Sequence, residues 1–249
     1  MNYKDLTWEE ALRESHKWLL RKGPQSPKKL IPLHQWIKET MKNNLGDEYE
    51  YYAKGESDSK YDKEYEVQGL LYPKKVDVAV LRKRKVVGVV SFKFVASNYQ
   101  QNSNNYFENL IGECFNIQSN YIPFCHVFVT RSKIPYYTDG KVFKKFEKVK
   151  ENNLDKYLKL DDVHDVAVPS KLSVVIVDIK GDEYEGKTIH PQVFGGLQSD
   201  EQEIILNNIE VTVSDYSNYS KDVANKLESM EVNKILKEFS DIIREHDLH

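Results

Sequence analysis

The runs Lys75-Val76-Asp77-Val78-Ala79-Val80 and Val87-Gly88-Val89-Val90-Ser91-Phe92-Lys93-Phe94 place one acid and one lysine on neighbouring strand-like segments joined by a charged turn. Side chains of an extended chain alternate faces, so Asp77 stands with Lys75 and Ala79, and Lys93 with Ser91 and Val89. An acid and a lysine arranged in this way can converge. Hydrolysis of a phosphodiester requires neutralisation of the phosphate charge and a deprotonated water, and a carboxylate-bound divalent ion beside an ammonium supplies both. The same pair also occurs in ordinary solvated hairpins. Here, however, the valines and phenylalanines around it form two nearly continuous apolar runs, the pattern of buried strands. A buried acid or lysine is costly without a partner, and function is the usual reason for one.

With these residues in view, the chain resembles the PD-(D/E)XK nuclease superfamily, whose pattern is an acid on one strand and acid-x-Lys on the next. Ser91 stands where that family usually has Glu or Asp, and a hydroxyl is a poor ligand for a hard cation. Some restriction enzymes of the superfamily share this gap and carry the second acid on the following helix. In Asn102 to Phe115 the residues Phe107, Leu110, Ile111 and Cys114 recur at helical spacing, with Glu108 and Glu113 flanking the stripe on opposite sides. Periodicity does not choose between the two; the distance from Lys93 in such enzymes favours Glu108. The resemblance implies Mg2+ held by Asp77 and by Glu108 or Glu113, Lys93 orienting the attacking water, and Ser91 as a secondary polar contact.

The run from Phe92 to Asn109 is similar to type II restriction endonucleases, among them BbvCI-like heterodimers in which each subunit cuts one strand. The resemblance spans roughly residues 66 to 137 and implies double-stranded DNA as substrate, with a homodimer or a second nuclease subunit as partner. Asn98, Tyr99, Gln100, Gln101, Asn102, Asn104 and Asn105 are candidate DNA contacts, since amide side chains pair with adenine edges and tyrosines reach sugar or phosphate. The same residue types cap helices, an equal claim on each of them. Arg131 and Lys133 join Lys141, Lys144 and Lys145 as a basic cluster suited to phosphate. A second cluster, Lys74, Lys75 and Arg82 to Lys85, ends at a hairpin tip directed away from the site.

A rival motif is Asp178-Ile179-Lys180, a literal Asp-x-Lys preceded by Asp162 and Asp165. Gly181 follows at once, Pro169 interrupts the approach, and no polar helix comes after it, so Asp77 and Lys93 are preferred. His34, His126, His164 and His190 lack a second ligand at metal spacing. His126, alternating within an apolar strand, reads as a core histidine with its hydrogen bonds satisfied. Gly195-Gly196 lacks the lysine and hydroxyl of a phosphate loop.

The expected fold is α/β, a restriction-endonuclease-like mixed central sheet flanked by helices, in one domain over residues 1–249. Its parts are a helical stretch over 1–45, a nuclease core over about 64–180 and a helical end over about 215–249. Helices are expected over Leu6 to Leu20 and Leu33 to Asn44, a loop or lid over Gly46 to Lys63, and strands over Glu66 to Tyr72, Val76 to Leu81, Val86 to Val95, Phe124 to Val129 and Ser173 to Ile179. A basic helix is expected over Lys141 to Lys159 and another helical segment over Ser217 to His246. The 249 residues, 40% hydrophobic and 12% aromatic, suffice for a substantial core. Net charge −3 argues against a nonspecific nucleic-acid coat. Cys114 and Cys125 show no zinc or disulfide spacing, no signal peptide or membrane-length apolar run is evident, and a reducing cytoplasm is the expected setting. The functional expectation is a type II restriction endonuclease; the alternative is a catalytically silent DNA-binding or partner subunit retaining the nuclease fold.

Overall fold

In a computed structural model, residues 3–247 are described; residues 1, 2, 248 and 249, the ends of the expected domain, lie outside them. The chain begins with helices α1 (Trp8–Lys22) and α2 (Ile31–Leu45). Thr7 starts the first through a capping box, its hydroxyl accepting the Glu10 amide while Glu10 accepts the Thr7 amide. Strands β1 (Glu50–Ala53), β2 (Tyr65–Gln68), β3 (Pro73–Val76), β4 (Val78–Arg82) and β5 (Lys85–Val95) come next, and α3 (Tyr99–Gln118) leads to β6 (Phe124–Arg131). Then follow β7 (Lys133–Tyr137), β8 (Phe143–Lys148), α4 (Glu151–Leu158), β9 (Lys171–Lys180), β10 (Glu183–Tyr184), β11 (Lys187–Thr188) and α5 (Pro191–Phe194). The remainder is α6 (Ser199–Asn208), β12 (Glu210–Val213), α7 (Lys221–Ser229) and α8 (Val232–Asp247).

The architecture is mixed α/β. Six strands in the order β1-β4-β5-β6-β9-β12 make one mixed sheet: β5, β6 and β9 run parallel, and the outer neighbours pair antiparallel. All eight residues of β6 are buried, as expected for a parallel strand covered on both faces. Alternation along β5 sends Val90 and Phe92 into an apolar layer with Leu12, Trp36, Ile37 and Phe239, while Val89 and Val95 enter the opposite layer with Leu110, Cys114, Ile117 and Leu154. Helices therefore cover both faces. Gly88 lets α8 approach the sheet closely, since a Cβ there would lie 2.4 Å from Ile243 Cδ1. None of the described helices is long and apolar enough to cross a membrane.

Several expectations need correction, the first being the strand over Glu66 to Tyr72, which ends at Gln68 because Gly69 to Tyr72 turn the chain back into Pro73. Lys141 to Lys159 is not one helix: Phe143–Lys148 pairs with β7 as a hairpin, where the Phe143 and Tyr137 rings meet edge to face at 6.4 Å. The helix starts later, where Asn153 Oδ1 accepts the Lys150 amide at 2.9 Å. Gly46 to Lys63 is not wholly a loop, because Tyr51 and Ala53 are buried and carry β1 along the edge of β4. The C-terminal segment is two helices: Glu231 restarts the chain by accepting the amides of Asn233 and Lys234.

Candidate active site

The site lies where two strands part company. The antiparallel pairing of β4 with β5 ends at Val78 opposite Val90, and β3 pairs with β2 in a separate two-stranded sheet. The Phe92 amide is thereby left without a β4 partner, and Asp77, at the break, accepts it on Oδ2 at 2.7 Å. Its other oxygen, Oδ1, lies 3.4 Å from Nε2 of His34 on α2. Burial pushes the His34 imidazole below its ordinary range despite the carboxylate's pull, and neither ring nitrogen has a hydrogen-bond partner among the described residues.

Ser91 and Lys93 share the face of β5 turned toward α3. Ser91 Oγ donates to Glu113 Oε2 at 3.3 Å, and Glu113 Oε1 accepts from Lys74 Nζ at 2.5 Å. Burial is the largest single influence on the Lys74 ammonium and works against it, yet the hydrogen bond to Glu113 and the charges of Glu113, Tyr72 and Asp77 together outweigh it and hold its pKa above the ordinary lysine value. Lys93 is half-buried with Nζ 4.3 Å from the centre of the Tyr106 ring. Desolvation depresses its pKa, while the charges of Asp77 and Glu113 act the other way. These groups and Lys75, Asn109 and His126 line one cleft of about 230 Å³. Lys93 and Tyr106 also line an adjoining hollow of about 150 Å³ that extends to Lys29 and Ser97.

The structure thus brings together Asp77, Ser91, Lys93 and Glu113. Glu108 is exposed on another side of α3, where its charge acts on Lys156, so the preference for it over Glu113 does not match the geometry. Helical spacing left the pair undecided because both flank the apolar stripe; the side on which β5 lies distinguishes them. The rival Asp178 and Lys180 line a separate cleft of about 350 Å³ with Lys133 and Glu183, and Ser132 donates its hydroxyl to Asp178.

The amide-rich stretch divides. Asn98, in a left-handed conformation (φ 49°), accepts the Tyr137 amide at 3.0 Å, and Tyr99 is buried with its hydroxyl donating to the Asn153 carbonyl. Gln101 donates to the Tyr136 hydroxyl and Asn104 accepts from Lys156, while Gln100 and Asn105 are exposed and Asn102 is half-buried. Among the basic candidates Lys133 is exposed, but Arg131 is 3% exposed and forks onto Asp182 at 2.6 and 3.3 Å. In the free protein the Arg131 guanidinium is thus engaged in a buried ion pair and not presented at the surface. His16 completes this group, 3.0 Å from Asp182 Oδ2, and nothing in local spacing announces residues so far apart in the chain. Burial works to raise the Asp182 carboxyl, but His16 and Arg131 outweigh it and hold it well below the usual range. His126 is buried as expected, yet its Nδ1 has no hydrogen-bond partner among the described residues.

The donor set at the cleft is two carboxylates and a hydroxyl, all hard oxygens; among the described residues no three His, Cys, Asp or Glu side chains converge as a metal cluster. Mg2+ is commonly held by one or two carboxylates together with waters and substrate phosphates, so these residues fit it. No family model matches the chain, and no curated protein or solved structure matches it either.

Proposed function

We propose that the protein is a Mg-dependent endonuclease of the restriction type, hydrolysing phosphodiester bonds of double-stranded DNA on a restriction-endonuclease-like sheet. The observation that carries the reading is the convergence, at the parting of β4 and β5, of two carboxylates and a desolvated lysine in one cleft. Asp77 and Glu113 would hold the cation, which when bound supplies Lewis-acid polarisation of the phosphate and acidifies water. The Phe92 amide fixes the direction of the Asp77 carboxylate, and Ser91 steadies Glu113. Lys93, in the same cleft and under the charge of both acids, orients the attacking water and offsets charge developing on the phosphate. Lys74 and Lys29 extend positive charge to either side of it for the flanking backbone. A second nuclease subunit or a second copy is the expected partner on this reading.

Ser91 in place of the customary acid supports a second reading, a DNA-binding subunit that retains the fold without cleaving. Nicking of supercoiled plasmid in Mg2+ separates the two. Asp77→Ala is expected to reduce nicking on the order of 1,000-fold with plasmid binding retained, because ligand and water positioning are lost together. Undiminished nicking by Asp77→Ala, with inactivation by Asp178→Ala, would move the site to the rival cleft. Absence of nicking by the wild-type chain, with binding, would favour the silent subunit.

A further inference from the structure

The β2–β3 hairpin turns at Gly69-Leu70-Leu71-Tyr72 and holds its apolar side chains outward, with Leu70 51%, Leu71 69% and Tyr72 46% exposed. Such exposure ordinarily accompanies a mobile tip, but this one is fastened. Asn116 of α3, 1% exposed, accepts the amides of Leu71 and Tyr72 at 2.9 and 3.3 Å and donates to the Tyr72 carbonyl at 3.1 Å. The Asn116 carbonyl accepts the Leu70 amide at 2.7 Å, and Asn120 donates to the Gln68 carbonyl at 2.7 Å. Glycine at 69 makes the approach possible, since a Cβ there would lie 2.2 Å from Asn116 Nδ2. A buried amide is thus committed to a turn that keeps two leucines in water.

The position of this prong is informative. Beyond Pro73 the chain enters Lys74 and Lys75, both lining the cleft that holds Asp77 and Glu113. An extended chain covers at most about 3.6 Å per residue, so Leu71 lies within roughly 11 Å of Lys74, about three base steps along a strand. Asn116 sits one helical turn from Glu113, so prong and site carboxylate share one rigid support. Two leucines and a tyrosine offer far less than the roughly 800 Å² per partner of a stable protein interface. A narrow apolar projection beside lysines instead fits a charged groove with an apolar stack inside it.

We propose that Leu70, Leu71 and Tyr72 form a wedge that enters a groove of duplex DNA and opens a base step a few pairs from the bond held in the cleft. The inference rests on the nuclease reading above. Leucine is among the side chains used for such insertion, and burying two of them is comparable with the cost of opening one step.

The test is permanganate oxidation of plasmid DNA bound by saturating protein in EDTA, where cleavage is suppressed and unstacked thymines react. Wild-type protein is expected to create reactive thymines, and Leu70→Ser/Leu71→Ser to reduce them about tenfold with unchanged thermal unfolding, since both positions are exposed. Unchanged reactivity in the double variant overturns the wedge. So does a shift in sedimentation from dimer to monomer with reactivity preserved, which would make the prong a docking surface for a second copy. Plasmid nicking in Mg2+ without reactive thymines in EDTA removes the wedge alone, whereas wild-type protein that neither binds nor nicks plasmid removes the nuclease reading with it.

Discussion

Ser91 and Glu113 reach the same space from a strand and a helix, 3.3 Å apart at their polar atoms. A cation needs oxygen ligands rather than a particular backbone to carry them. Glu113→Ala is therefore expected to suppress Mg-dependent nicking, and adding Ser91→Glu to recover part of it. Recovery is expected to be incomplete, because a displacement of about 1 Å can cost on the order of 100-fold in rate. The plasmid assay reads both, and full activity in Glu113→Ala would remove Glu113 from the site. The His126 imidazole is pushed down to about 3 by burial, with Lys93 adding to the shift. The unfolded chain takes up this proton near the ordinary histidine value of about 6.5, so between those limits the unfolded state binds more protons and stability falls as pH falls. From pH 6.5 to pH 5 the loss attributable to this side chain is about 2 kcal/mol. Urea unfolding at the two pH values should show a smaller drop in His126→Leu, and equal drops would refute the assignment.

Among the elements, β5 and α3 were readable because each carries an unbroken local signal, an apolar run in one and 3.6-residue spacing in the other. Their packing tests the register directly. Gly88→Ala would drive a methyl into Ile243 and is expected to cost about 1–3 kcal/mol, with much of it relieved by Ile243→Val. A double-mutant cycle in urea checks the coupling, and additive losses would show that α8 yields by another route. The hairpin of β7 and β8 was not readable, because its lysines suit the outer face of a helix as well as a strand and its pairing is tertiary. Nor was the break at Asp77, where the apolar run continues through Val76 and Val78 although the chain changes sheets between them. His34 escaped for a related reason. It reads as a residue on the apolar face of α2, and only folding brings it to Asp77.

For the molecule as a whole, His16 of α1, Arg131 at the end of β6 and Asp182 beyond β9 tie one helical layer to the sheet through a buried ion group. Asp182→Ala leaves the Arg131 guanidinium buried without its carboxylate and is expected to cost about 3–5 kcal/mol. Chemical denaturation checks this, and a loss under 1 kcal/mol with weakened DNA binding would return Arg131 to the phosphate-contacting set. The bridge from Lys74 to Glu113 has a different reach, since it joins the β2–β3 hairpin to α3 and occupies one oxygen of a carboxylate the proposed chemistry requires. In the free protein an entering cation competes with an ammonium already in place. A DNA phosphate that draws Lys74 away would vacate that oxygen, so on the proposed reading cation and DNA each raise the other's affinity by the same factor. The protein would then be a poor magnesium binder until it holds DNA, a heterotropic cooperativity that ties assembly of the cutting site to the presence of something to cut.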